Sequence, residues 1–442
     1  MNSKPKVLVI SVASWNSKVG SNTWTTLLSR YDSRNIAHLC IREERPDSKV
    51  ASKYFVISEN KVLKSIFKRN IQTGYENFAE NTDNSGDLQS HITRYQKYKS
   101  NRRYSLLLAR ELIWKLGKWR TKELDKFLDE FKPDVILHSM EGYIHLNRIV
   151  EYSIKRTGAR AVGYIWDDNF TYKQSNRIGH QIYRFFQRRS LRRLAKLTDD
   201  FFAISDMTKA EADEFFNIDC KIITKPIYNF NEPDYDDLKF PIKMFYAGKL
   251  VIGRDRTLIK IVNSLKEINK DEIRVVIDAY TTTFLPDQIK EQLNCDYCTI
   301  HPPVTQSEVL QLQDKSDILL FIEDIDGKDC NMARLSFSTK ITDCLASGKC
   351  IFAVGNINIS PMQYFKKYNS AIIAYNEQTI FEQLNRIVSN TDLIIQYANN
   401  AVNCGKANHN QETVKKVFID TIVRASNKDS CSVIIDDKNR AL

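Results

Sequence analysis

One regularity constrains this chain more than any other. Short apolar runs of strand length alternate with amphipathic segments of helix length, and the alternation runs through twice. The first series opens with residues 6–13 (KVLVISVA), a polar turn (WNSKVGSNT) and a helix over TWTTLLSRY. It continues with strands predicted at 36–42, 134–138, 160–166 and 199–206, a helical region over 104–130, and a polar insertion at 70–93. The segment 229–241 (NFNEPDYDDLKFP) is rich in Asn, Asp and Pro and reads as a linker. Beyond it the pattern restarts, with strands at 243–250, 272–280, 317–324, 349–355 and 370–375. Helices are predicted at 256–268, 305–316, 338–348, 376–389 and 391–426. Strand–helix alternation of this kind predicts an α/β fold of two Rossmann-like, doubly wound domains. The expected division is 1–235, 236–405, and a C-terminal helix and tail at 406–442 that crosses back to the first domain. The polar tail from Asn427 is expected to be loosely held.

Composition narrows the function class. At 442 residues there is room for two or three domains. A hydrophobic content of 42% and a charged content of 27% exclude a disordered or disulfide-stapled chain. The formal charge of +11 predicts anionic partners. No apolar run reaches the roughly 18 residues of a membrane span, and the N-terminal run is too short for a secretory signal. The nine cysteines are scattered and odd in number, which fits reduced thiols and a cytoplasmic location. Cys295 and Cys298 form a single CxxC lacking the further ligands a zinc site needs. Asp324-Ile325-Asp326 reads as a loop after a strand, and no metal is expected.

The most informative stretch is 336–350, SFSTKITDCLASGKC. Ser338 or a neighbour can cap the helix that follows. Its first-turn N–H groups and dipole favour an anion, and Lys340 adds a cation beside them. Asp343 lies one turn further on, on the side of Thr339, where a carboxylate can accept from a ribose. Gly348 is placed to end the helix. A capped helix with solvated Lys and Asp would carry the same pattern.

The phrase STKITDCLASGKCIFAVG resembles the signature of glycosyltransferase family 4, in which an acidic residue precedes "(L/M)AxGxP(V/I)" and a strand. FYAGKL at 245–250, HPPVTQSEVLQLQDKSDILL at 301–320, FFAISDMTKAEADEFF at 201–216 and KIITKPI at 221–227 are similar to further family segments, in the family's order. The resemblance covers most of residues 5–390 and is weaker in the first half. It implies a GT-B fold, two Rossmann-like domains facing across a cleft, and sugar transfer from a nucleotide-diphosphate donor, UDP- or GDP-linked, that acts as substrate with no separate cofactor. In layout it is nearest to enzymes of bacterial surface-polysaccharide synthesis. It further implies retention of configuration without metal and an acceptor that is an oligosaccharide or lipid-linked.

The resemblance also assigns residues. Asp343 takes the role of the ribose-gripping carboxylate. Lys249, after Gly248, and one of Arg254 or Arg256 take the phosphate contacts, with Lys340 and the backbone at Ser338 and Thr339 facing the same diphosphate. Gly20, in the loop Val19–Thr23, corresponds to the family's glycine-bearing loop. Two positions depart from the family. Leu335 stands where a second acid is usual, so Glu323, Asp324 or Asp326 is expected to replace it. Trp166 stands where a histidine is usual, and Asp167 or Asp168 beside it is expected to orient the acceptor hydroxyl or act as base. A solvated acidic pair at a strand end is the plainer reading. His138 and Glu141 lie at another strand end, where a lone histidine is more often structural.

Basic segments are the second informative feature. Residues 171–198 contain eight Lys or Arg and no acid: Lys173, Arg177, Arg184, Arg188, Arg189, Arg192, Arg193 and Lys196. Tyr183, Phe186, Leu194 and Leu197 recur there at helical spacing and predict one apolar face. Residues 94–120 interleave Lys97, Lys99, Arg102, Arg103, Arg110, Lys115, Lys118 and Arg120 with Tyr95, Tyr98, Tyr104, Trp114 and Trp119. Such surfaces suit an anionic bilayer, which predicts a peripheral protein on the inner face of the cell membrane. No nucleic-acid motif accompanies the charge. Two other readings share the layout: a non-catalytic GT-B module that binds glycan or supports a partner, and a sugar-nucleotide epimerase.

Overall fold

The computed structural model describes residues 4–16, 23–68, 70–76, 104–235, 238–327 and 330–427. Gly20, the residues before Tyr104 in the 94–120 segment, most of the 70–93 insertion and the tail beyond Asn427 lie outside them. Contacts gather the chain into two compact units. One holds the described residues of Met1–Tyr164, Ser190–Phe201 and Lys416–Leu442; the other holds Ile165–Arg189 and Phe202–Lys415.

The first sheet has eight strands: β1 (Val7–Ser11), β2 (Ile36–Cys40), β3 (Lys53–Ile57), β4 (Gly74–Glu76), β5 (Val135–Ser139), β6 (Arg160–Ile165), β7 (Asp200–Ala203) and β8 (Cys220–Ile222). Their order is β4-β3-β2-β1-β5-β6-β7-β8. β1 pairs in parallel with both β2 and β5, while β4 closes one edge antiparallel to β3. Central strands VLVIS, IAHLC and VILHS are buried at every position, as expected of strands covered on both faces.

That burial decides two histidines. His38 bonds Ser11 Oγ at 2.9 Å and stacks on Trp15 at 4.2 Å, and burial pushes it down to about 3. His138 bonds Thr198 Oγ1 at 3.1 Å, and burial pushes it down to about 4. Both are neutral core residues at neutral pH, so His138 is structural.

β3, the Glu59–Ser65 helix and the Ile144–Thr157 helix were not anticipated from the pattern. The region 104–130 is two helices, Tyr104–Leu116 and Lys122–Phe131. Gly117 breaks it where a Cβ would come within 2.6 Å of Val62, and Thr121 caps the second helix through Leu124 N–H at 3.3 Å. Trp114 and Trp119 belong to the core here, correcting their reading as surface aromatics: Trp114 stacks on His145 at 4.7 Å and Trp119 meets Tyr152 edge-on.

The second sheet is wholly parallel. It comprises β9 (Ile242–Ala247), β10 (Val275–Tyr280), β11 (Cys298–His301), β12 (Ile318–Ile322), β13 (Cys350–Val354) and β14 (Ile372–Ala374). Their order is β11-β10-β9-β12-β13-β14. Counted from its own first strand this is 3-2-1-4-5-6, the doubly wound order, with the direction of winding reversing between β9 and β12. The Arg254–Ile268 helix covers it with Leu258, Ile261, Val262 and Leu265, an i, i+3, i+4, i+7 stripe. Each such side chain contributes about 1.5–3 kcal/mol by leaving water.

The helix predicted over 391–426 is broken. It is Asp392–Asn408 followed by Gln411–Ser426. The backbone of Ile227 reaches between them, donating to His409 C=O at 2.8 Å and accepting from Gln411 N–H at 3.2 Å. His409 is pinned by Thr224 and Tyr364, both at 2.6 Å. From Lys416 onward the chain counts with the first unit, where Phe418 is buried beside Trp24.

Candidate functional site

In an open parallel sheet, ligands bind beyond the carboxyl ends of the strands where the winding reverses. Here that place is formed by the loop after β9, the loop after β12 and the start of the Thr339–Ala346 helix.

The loop after β9 (Gly248–Gly253) is shaped by backbone demands. A Cβ on Gly248 would fall on Lys340 Nζ, so any larger residue there would displace the ammonium. Ile252 has φ 59° and Gly253 φ 81°. A β-branched residue in the left-handed region is uncommon and is stored strain of the kind found at ligand-gripping loops. A Cβ on Gly253 would meet Asp324 Oδ1, so a larger residue there would displace that carboxylate.

Ser338 caps the helix, its hydroxyl accepting from Lys340 N–H at 3.3 Å, and Gly348 follows the helix end at φ 74°. Lys340 Nζ lies 5.0 Å from the centre of the buried Tyr246 ring. Burial, with the charge of Arg254 next, pulls its ammonium down to about 8; Lys249 acts in the same direction. The structure therefore brings Gly248, Lys249, Arg254 and Lys340 to one spot beside the capped helix start at Ser338 and Thr339. Lys340 is largely desolvated beside Lys249 and Arg254, with Glu323 offsetting part of the repulsion, and an arriving anion would relieve the rest.

The acids nearby are already engaged. Glu323 accepts from Arg254 Nη2 at 2.7 Å and Nε at 3.1 Å, a two-point grip. Asp324 pairs with Arg256 at 3.3 Å, and Asp326 with Lys260 at 2.7 Å. Leu335 is fully buried and its carbonyl accepts from Thr208 Oγ1 at 3.0 Å. Neither Leu335 nor the three acids offered as its replacement thus presents an unengaged carboxylate. Asp343 is taken by Lys225 at 2.6 Å, a partner the sequence pattern did not reveal. Both arginines offered for the diphosphate are thus ion-paired, Arg254 with Glu323 and Arg256 with Asp324, and it is the charge of Arg254 that acts on Lys340.

Asp167 accepts a hydrogen bond from Ser336 Oγ. Asp168 is buried and accepts from Thr171 N–H at 2.9 Å and from Arg334 Nη2 at 3.1 Å. Arg334 also grips both oxygens of Glu211. Arg334 went unnoticed in the sequence. Its signal was only a lone arginine in a largely apolar context, MARLSF, two residues before Ser336. Cys295 and Cys298 are joined by backbone bonds, with Cys298 buried and Cys295 exposed.

The basic segment 171–198 needs correction. Tyr183, Leu191 and Leu194 are buried, whereas Phe186 is exposed. Arg184 is also buried and bonds Gln174 at 2.6 Å. Arg188 donates to the carbonyl of Phe170 and lies over the rings of Tyr172 and Phe215. These two arginines hold the fold and do not belong to a solvated basic face.

No protein-family model matches the chain, and no curated protein matches it either. Solved structures do. The α,α-trehalose 6-phosphate synthase of Burkholderia multivorans aligns over 96% of this chain and 99% of its own, at TM-score 0.59 and 9% identity. Anabaena Alr3699/HepE, solved in complex with UDP, aligns over 95% and 100% at TM-score 0.61 and 10% identity. A glycosyltransferase from Rickettsia africae aligns over 97% and 100% at TM-score 0.56 and 12% identity. The chain has the GT-B fold of these glycosyltransferases: mixed α/β, with two largely parallel sheets.

Proposed function

We propose that this chain is a glycosyltransferase that uses a nucleotide-diphosphate sugar. The observation carrying the reading is the meeting of Lys340, Lys249, Arg254 and Gly248 where the second sheet reverses. Two supports stand beside it. The fold is that of glycosyltransferases, among them HepE, which has been solved with UDP and with UDP-glucose. The sequence also resembles glycosyltransferase family 4.

In this reading Lys249, Arg254 and Lys340, with the helix start at Ser338 and Thr339, hold the diphosphate. As the sugar departs, negative charge grows on the leaving phosphate, and fixed cations stabilise it without rearranging. Losing one such contact costs about 2.7–4 kcal/mol of barrier, by analogy with oxyanion-hole donors. Asp343 accepts from the ribose, sharing its carboxylate with Lys225 or exchanging it. Asp167 orients the acceptor hydroxyl. We place the acceptor among lipid-linked saccharides of surface-polysaccharide synthesis, and the reaction as retaining, on the family resemblance.

The experiment is a melting-curve panel with UDP, GDP and their sugars, followed by measurement of released diphosphate with a membrane-lipid acceptor. Specific binding raises the melting temperature. Lys249→Ala and Asp343→Ala are expected to shrink that rise, and Lys249→Ala to slow release by about 10²-fold or more. Unchanged turnover in both variants refutes the site. A second reading, a non-catalytic GT-B module, is favoured by the buried Leu335 and by the ion pairs that occupy Glu323, Asp324 and Asp326. It predicts no saturable nucleotide response.

A further inference from the structure

The Ile178–Ala195 helix presents an outward face of unusual order. Its exposed positions are 178, 182, 185, 186, 189, 192 and 193, and the spacing puts them on one side. The first two turns of that side are apolar: Ile178 is 79% exposed, Ile182 48%, Phe185 55% and Phe186 46%. The next turns, with Lys196 just past the helix end, are cationic: Arg189, Arg192, Arg193 and Lys196. The opposite side, with Tyr183, Leu191 and Leu194, is already spent on the core. The exposed apolar stripe is therefore additional to what folding requires, and 171–198 itself contains no acid; Glu151, from another helix, lies 3.5 Å from Arg193.

We propose that this face docks on an anionic lipid surface. Ile178, Ile182, Phe185 and Phe186 enter the boundary between headgroups and acyl chains, and the basic half lies on the phosphates. Helices that lie in the membrane plane combine these two components, apolar area and electrostatic attraction. Charge complementarity selects this occupant over two others. A second copy of the chain packed along the whole face would set the apolar half against arginines when antiparallel, and arginine against arginine when parallel. Nucleic acid would engage the cations but leave two turns of aliphatic and aromatic side chains in water. The inference stands on exposure and charge alone, apart from the donor-site reading.

The test is flotation of the full chain with phosphatidylcholine vesicles and with vesicles in which about a third of the lipid is phosphatidylglycerol. The chain is expected to float with the anionic vesicles, several-fold less with the neutral ones, and less as salt rises. Phe185→Ser with Phe186→Ser is expected to reduce binding at least fivefold. Arg189→Glu with Lys196→Glu is expected to abolish the preference for anionic lipid. An unchanged melting curve and unchanged response to UDP show that these variants fold and keep this outcome separate from the fate of the donor site. A Phe185→Trp variant is expected to be quenched by brominated lipid, beyond any quenching of the parent chain. No flotation overturns the proposal, as do variants that float like the parent. So does a dimer that the paired Phe variant dissolves, or RNA binding that replaces vesicle binding.

Discussion

Replacing Lys340 with methionine is expected to make the protein more stable at pH 7 and to weaken its hold on a nucleoside diphosphate. The two effects have one cause. Lys340 is held near 8 by burial first and by Arg254 next, against about 10.4 for an ordinary lysine. The folded state thus binds this proton less tightly than the unfolded state. Below about pH 8 both states are protonated and the whole penalty is present, on the order of 3 kcal/mol at 1.36 kcal/mol per pH unit. Between about pH 8 and 10.4 the unfolded chain holds more protons, so stability contributed by this group recovers as pH rises. Methionine fills similar space beside Tyr246 without the charge. Its melting temperature should exceed the parent's by several degrees at pH 7, at roughly 2–4 °C per kcal/mol. The gap should close by about pH 10.5.

Binding has the opposite sign. A diphosphate would give Lys340 a close anionic partner, so the parent's affinity should fall as pH rises through about 8. At pH 8 binding should take up a proton, visible as a calorimetric enthalpy that changes with buffer. Lys340→Met should lose both the pH dependence and the proton uptake. A variant that is less stable at pH 7 and binds UDP with the parent's pH profile would refute the placement. Stability given up at a ligand site is the usual cost of holding charge ready for a substrate.

The elements most legible in the sequence were those whose signal is local. β12 and β13 read as uninterrupted apolar runs because they are buried at every position. The Thr339–Ala346 helix announced its start at Ser338 and its end at Gly348 through cap chemistry. Gly248 and Lys340 could each be singled out, but not the reason they belong together: that an ammonium takes the place of a missing Cβ is a tertiary fact. Periodicity in 171–198 identified an amphipathic helix but placed Phe186 on the wrong face, because that helix is apolar on two sides and one stripe masks the other. The break at His409 was invisible for a similar reason. Its cause is the backbone of Ile227, some 180 residues earlier. Asp343, Glu323 and Asp324 illustrate the same limit for charge, since spacing shows that an acid is present but not which cation has already taken it.

Arg334 carries the largest purely structural prediction. Its side chain is 9% exposed, and it joins Asp168, 1% exposed, to Glu211. Burial alone would raise the carboxyl of Glu211, but the hydrogen bond and charge of Arg334, aided by Lys173, override it and hold the group below its ordinary range. Arg334→Met removes the cation and leaves the two carboxylates, among the described residues, with hydrogen bonds from Thr171 and Lys173. Breaking a buried pair from one side costs about 3–5 kcal/mol. The variant should unfold at markedly lower denaturant. Its deficit should narrow in acid, because a depressed carboxylate contributes stability above the unfolded pKa and loses it as pH falls through the folded one. The parent has that contribution to lose and the variant does not. Arg334→Lys keeps the charge but not the fork that meets Asp168 and Glu211 together, so it should recover part of the loss. Two residues on, Ser336 bonds Asp167, and two further Ser338 caps the helix that holds Lys340. Loosening Arg334 should therefore also weaken the response to UDP, even though no nucleotide contact is assigned to it. An Arg334→Met protein with the parent's denaturation midpoint would show that this buried network carries no weight in the fold.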